Sequence, residues 1–114
     1  MVRILYPLHQ DKYMDEGKLN VQVRLSCQRA LLGNIIPEIR LITIGWNGLR
    51  LFKLRAYYDR QPTEEDIDDM NTVSGEVLSD IPFEHEETEC IFNTMPRNEL
   101  DILNVIVYAK KEVN

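Results

Sequence analysis

The stretch EIRLITIGWNGLRLFKLRAYYD, residues 38–59, constrains the fold more than any other part of the chain. Two runs rich in β-branched, leucine and aromatic residues flank Asn47-Gly48, a dipeptide suited to tight hairpin turns. An antiparallel hairpin is therefore expected. Its register follows from the side-chain period of two. A strict two-residue turn pairs Ile44 with Leu51 and sets Phe52 and Leu54 opposite Thr43 and Leu41, away from the isoleucines. A register one residue longer pairs Trp46 with Arg50, Ile44 with Phe52 and Ile42 with Leu54. It gathers Ile42, Ile44, Phe52, Leu54, Ala56 and Tyr58 on one apolar face and leaves Thr43, Lys53, Arg55 and Tyr57 on a mixed face. A longer loop, or a bulge near Gly45, supplies the extra residue.

An apolar sheet face needs a covering layer, and helical spacing occurs on both sides of the hairpin. After it, Ile67, Met70, Val73, Val77, Leu78 and Ile81 recur every three or four residues. Thr63 with Asp66 three residues on resembles a capping box, and Pro82 closes the segment, so 63–81 is predicted as an amphipathic helix. Gly75 costs such a helix ~1 kcal/mol relative to Ala and is expected to mark a close approach to the sheet. Before the hairpin the period is ambiguous. Leu19, Val21, Val23, Leu25 and Cys27 alternate like a strand, whereas SCQRALLGN is good helix material ending at Gly33. A helix from Val21 to Leu32 is expected, with Gly33 as its C′ glycine and Pro37 barring continuation.

The remaining segments are read as a short strand at 2–8 limited to an edge by Pro7, a polar loop HQDKYMDEGK, a strand over 83–94, a loop MPRNELD and a last strand over 102–111. No internal repeat or linker interrupts them. With 114 residues the chain is long enough for one core, so residues 1–114 form a single domain. The expected class is α+β: a two-layer domain with a four-stranded, mainly antiparallel sheet and two helices packed on it.

Charge is distributed unevenly. The net charge is −6, yet residues 1–60 carry ten Lys or Arg against five acids, while residues 61–96 carry eleven acids and neither Lys nor Arg. The acidic segment repels nucleic acid and attracts basic proteins. Five of its carboxylates fall within six residues, Glu64 to Asp69. No apolar run is long enough to span a membrane, and the amino-terminal stretch does not read as a signal peptide, so a cytoplasmic protein is expected. Cys27 and Cys90 are expected to be two buried thiols.

Catalytic signatures are missing. Gly33, Gly45, Gly48 and Gly75 lack phosphate-loop spacing, and neither G-x-S-x-G nor C-x-x-C occurs. His85 in HEETE lacks the second histidine of a zinc-protease helix. The acidic run has neither the alternate spacing nor the glycine of a calcium loop. No enzyme activity, metal or cofactor is expected. Glu64, Glu65 and Asp66 suit the start of a helix dipole, but Asp68, Asp69, Glu84, Glu86, Glu87 and Glu89 do not follow from that need. Glu64, Glu65, Asp68, Asp69, Glu84, Glu86 and Glu87 are therefore the candidate contact surface for a basic protein. The alternative is a small RNA- or ribosome-associated binding protein using Lys53, Arg55 and Tyr57 as a basic and aromatic platform.

The pattern RALLGNIIPEIR, then RAYYDRQPTEEDIDDMNTVSGEVLSDIP, then ETECIF resembles a family of small bacterial proteins: the contact-dependent growth inhibition immunity proteins (CdiI) of toxin–immunity systems. The resemblance runs from about Arg29 to Phe92. It implies an α/β binding protein, cytoplasmic and without catalysis, that neutralises the toxic C-terminal domain of a CdiA-type secreted effector, in many such systems a nuclease. Its partner would be that toxin domain, with no membrane and no direct nucleic-acid contact. The cognate toxin and the oligomeric state are left open.

Overall fold

The structure, a computed structural model, describes residues 16–112. Along the chain run α1 (Glu16–Leu31), β1 (Ile39–Asn47), β2 (Leu51–Tyr58), α2 (Glu64–Asp80), β3 (His85–Phe92), a 3-10 turn at Arg97–Glu99, and β4 (Val105–Ala109). The strands form one sheet in the order β3-β2-β1-β4. β1 is antiparallel to β2 and to β4, and β2 is parallel to β3. The α+β class with two helices on a mainly antiparallel, four-stranded sheet is therefore what is observed. The one parallel pair follows from its connection: α2 carries the chain back before β3 begins.

α1 starts earlier than expected, at Glu16 rather than Val21, so Glu16, Gly17 and Lys18 belong to the helix and not to the polar loop. Leu19, Val23, Cys27 and Ala30 are buried at helical spacing, while Val21 and Leu25 are 55% and 54% exposed. That split resolves the ambiguous period, because a strand would have placed all the alternating residues on one face. Gly33 adopts φ +83 just past the helix end, as a C′ glycine does. The strand expected at 2–8 and the rest of that loop lie outside the described residues.

The hairpin has the expected faces in a different register. Trp46 pairs with Phe52, Ile44 with Leu54 and Ile42 with Ala56, and Asn47 faces Leu51. This is two residues beyond the expected pairing, so every side chain keeps its side of the sheet. Gly48, at φ +53, opens the connection, and the Arg50 amide donates to the Asn47 carbonyl at 3.0 Å. No bulge occurs at Gly45. The irregularity between β1 and β2 falls between Ile39 and Leu41 instead. Arg40, the residue between them, donates to both Glu112 carboxylate oxygens, at 2.7 and 3.0 Å, and to the Asn93 carbonyl at 2.7 Å.

The main core lies between helices and sheet: Val23 and Cys27 of α1 and Met70, Val73 and Val77 of α2 join Ile42, Ile44, Phe52, Leu54 and Tyr58. Phe83, just before β3, stacks near Phe52 with ring centroids 5.5 Å apart. Gly75 does not approach the sheet. It is exposed, and a Cβ there meets nothing within 4 Å, because the neighbouring Ser74 occupies the inward position. On the opposite face of the sheet, Leu100 packs with Leu41 and Tyr57 in a second, smaller cluster flanked by Ile91. The Leu103 amide donates to Thr43 Oγ1 at 3.1 Å. β1 is thus buried on both faces from Ile39 to Gly45.

Candidate functional site

α2 begins with the five clustered carboxylates, and the helical turn sends them in different directions. Glu64, Glu65 and Asp68 are exposed, Asp69 is half-buried, and Asp66 is buried. Thr63 caps the helix: its side chain accepts from the Asp66 amide while the Asp66 carboxylate accepts from the Thr63 amide. Asp66 also receives the Arg60 guanidinium at 2.5 Å. Arg60, six positions before Asp66, therefore supplies the counter-charge that the acidic run lacks in its immediate sequence.

The acids of the following strand occupy other places. β3 alternates its side chains, so Glu84 and Glu86 lie on the helix side and Glu87 and Glu89 on the other face. The two faces are confirmed by their contacts. Thr88 shares a 2.7 Å hydrogen bond with Ser74 of α2, and its hydroxyl lies 2.6 Å from Glu86. Glu87 lies 3.3 Å from Lys53, and Glu89 lies 2.9 Å from Arg55 and 3.8 Å from Lys53. α2 runs back along the sheet between two parallel strands, so its first turn and the start of β3 are at opposite ends. At 1.5 Å per residue, Glu64 and Asp80 are about 24 Å apart along the helix axis. The structure thus brings Glu64, Glu65, Asp68 and Asp69 together at one end, places Glu84 and Glu86 towards the other, and turns Glu87 to the opposite face.

Glu64, Glu65, Asp68, Asp69 and Glu84 make no ion pair among the described residues. Their charge is uncompensated at close range. No group of three or more His, Cys, Asp or Glu side chains among the described residues is placed to hold a metal ion. His85 is exposed on β3.

A family model described as MafI2 immunity protein matches residues 20–112. The chain belongs to the MafI2 immunity protein family. The match takes in α1 from its fifth residue on, the whole sheet and the Arg40–Glu112 pair. No curated protein matches the chain. An immunity protein implies a cognate toxin as its partner, and a family of this kind suggests an inhibitor rather than a catalyst. The toxin–immunity part of the motif resemblance therefore stands, while the family named is MafI2 and not specifically the contact-dependent growth inhibition group.

Within this family member the mixed sheet face is not a basic platform. Lys53 is paired with Glu87 and Glu89. Arg55 is bound to Glu89 and to both the carbonyl and the carboxylate of Asp101. The Tyr57 hydroxyl donates to the Asp101 carbonyl at 2.6 Å. These contacts neutralise the charge an RNA backbone would use. Glu87 and Glu89 belong to the acidic run that could be expected to neutralise this face, whereas Asp101, 46 positions from Arg55, was not legible as a partner from local sequence. The thiols are also quiet: Cys27 is fully buried, with burial pushing its pKa up to about 12, and Cys90 is half-buried with its pKa raised by the same cause. Both are free, and neither has the lowered pKa of a reactive thiolate. No helix among the described residues is long and apolar enough to cross a membrane.

Proposed function

We propose that the chain binds and neutralises the toxic C-terminal domain of a secreted effector of the CdiA type, a nuclease, by offering carboxylates to the positive surface that such an enzyme uses for its substrate. The contact residues are Glu64, Glu65, Asp68, Asp69, Glu84, Glu86 and Glu87. Their role is charge and hydrogen-bond complementarity to Lys and Arg, with inhibition by blocking phosphate access. The observation that carries this reading is the set of unpaired carboxylates at Glu64, Glu65, Asp68, Asp69 and Glu84, in a segment of eleven acids without a single Lys or Arg. A folded protein gains nothing from such self-repulsion, whereas a basic partner relieves it and is steered by it. Inhibition by a stoichiometric binder suits the cytoplasm of the producing cell, where a toxin must be caught before it acts.

Co-production with the toxin domain encoded beside this reading frame is expected to give a one-to-one complex and to protect cells. Charge reversal at Asp68, Asp69, Glu84 and Glu86 should slow association at low salt and flatten its dependence on ionic strength, since fewer opposite charges remain to be screened. A complex that forms at the same rate and with the same salt dependence as the unsubstituted protein would remove the acidic residues from the interface.

A further inference from the structure

We propose that the outer edge of β3 is where the partner engages: a basic, extended segment of the toxin adds to the sheet alongside His85–Phe92. This rests on the toxin-binding reading above and specifies how the partner is held.

β3 stands at one end of the strand order, and no described element pairs with its outer side. The backbone bonds on its inner side fix which groups are left over. The His85 amide donates to the Arg50 carbonyl at 2.9 Å, and the Asn93 amide donates to the Tyr58 carbonyl at 3.1 Å. Alternate residues of a strand aim their amide and carbonyl to the same side. Odd-numbered residues from His85 to Asn93 therefore bond inward to β2, and the amides and carbonyls of Glu86, Thr88, Cys90 and Phe92 face outward. The strand is held firmly for this purpose, since the Ser74–Thr88 hydrogen bond ties its middle to α2. Edge strands of this length are open to pairing with another chain.

Charge decides the occupant. A strand added here sets its side chains beside Glu84 and Glu86 on one face and beside Glu87 and Glu89 on the other. A second copy of β3 added in parallel register would place carboxylate against carboxylate, which disfavours that self-pairing. A segment carrying Lys or Arg meets the carboxylates of Glu84 and Glu86, in no ion pair among the described residues, on the helix-side face, while Glu87 and Glu89 on the other face are already paired with Lys53 and Arg55. The exposed Phe92 at the far end adds an apolar anchor. β4, at the other end of the sheet, is five residues long and contains no acid, so it lacks this selectivity.

Two substitutions at one position separate backbone pairing from charge. Glu86→Pro removes an outward amide at an edge position that tolerates proline, whereas Glu86→Gln removes only the charge. With a catalytically inactive form of the toxin domain encoded beside this reading frame, Glu86→Pro should weaken binding about 10- to 100-fold, the loss of one or two backbone hydrogen bonds. Glu86→Gln should weaken it only a few-fold. Amide hydrogen exchange of the unsubstituted protein provides a measurement that does not depend on the proline variant folding. On complex formation the amides of Glu86, Thr88, Cys90 and Phe92 should become protected. If the complex forms but those four amides exchange as in the free protein, edge pairing is overturned while toxin binding stands. If the unsubstituted protein does not bind the toxin domain, the functional reading fails and the edge proposal fails with it.

Discussion

Thr63 and Asp66 cap each other across the first turn of α2: the Asp66 amide donates to Thr63 Oγ1 at 3.1 Å, and the Thr63 amide donates to Asp66 Oδ2 at 2.8 Å. The same carboxylate oxygen receives Arg60, so one acid of the cluster serves the fold while its neighbours face solvent. The cluster is thus two things at once, a helix start and a charged surface.

Removing the cap should weaken the fold without altering the surface charge. Thr63→Ala is expected to destabilise the protein by about 1 kcal/mol, the usual cost of losing a side-chain N-cap. Urea unfolding should show a lower midpoint at an unchanged slope. An unshifted midpoint would mean that the cap does not contribute.

Acid should erase the contribution of Asp66. The Arg60 guanidinium first, and the Thr63 amide after it, hold its carboxyl below the ordinary value of 3.8. A carboxylate whose native pKa is lowered stabilises the fold fully above its unfolded value, about 3.9, and loses that stabilisation as the pH falls through the native value. The stability difference between the unsubstituted protein and Asp66→Asn should therefore be constant from neutral pH to about pH 4 and shrink below it. Comparison with the variant isolates this group from Glu112, lowered chiefly by its Arg40 hydrogen bond, and from Asp80, lowered chiefly by Ser26. A difference that stays flat through the acid range would contradict the Arg60–Asp66 pairing.

Two glycines should respond to alanine with opposite signs. Gly75 sits in an exposed helix interior where a Cβ meets nothing, so Gly75→Ala should stabilise by about 1 kcal/mol. Gly48 holds φ +53 in the hairpin turn, so Gly48→Ala should destabilise by about 1 kcal/mol from backbone strain. Thermal unfolding of both variants reads the two signs directly.

Arg55 and Asp101 should not be equivalent although they form one ion pair. The Arg55 side chain is 11% exposed and reaches three acceptors, whereas the Asp101 side chain is 88% exposed. Arg55→Leu leaves Glu89 with only the more distant Lys53, at 3.8 Å, takes one donor from the Asp101 carbonyl and should cost about 1–3 kcal/mol. Asp101→Ala keeps the carbonyl that Arg55 and Tyr57 bind, and should cost less than about 0.5 kcal/mol. Equal losses in urea unfolding would show that the exposed carboxylate matters more than the geometry implies.

Much of the architecture was legible in the residues because its signals are local. The Asn47-Gly48 turn, the two apolar periods and the Thr63–Asp66 cap act within a few positions of one another, so they yielded the hairpin, both helices and the sides of the sheet. The hairpin register lies two residues beyond the expected pairing because face alternation is blind to an even shift. Gly75 faces solvent and not the sheet, a difference that helical periodicity does not reveal because it does not say on which side of its stripe a single glycine falls.

The acidic segment marks the limit. Composition determined that residues 61–96 carry charge with no counter-charge among them, and the family match agrees with a toxin-binding role. Only the tertiary structure decided which carboxylates remain free. It turned Asp66 inward to Arg60, spent Glu87 and Glu89 on Lys53 and Arg55, and closed the mixed face with a loop whose Asp101 lies 46 positions from Arg55. It likewise made β3 an edge strand parallel to β2. Such pairings depend on where distant parts of the chain meet in space, and charge count along a sequence carries no information about that distance.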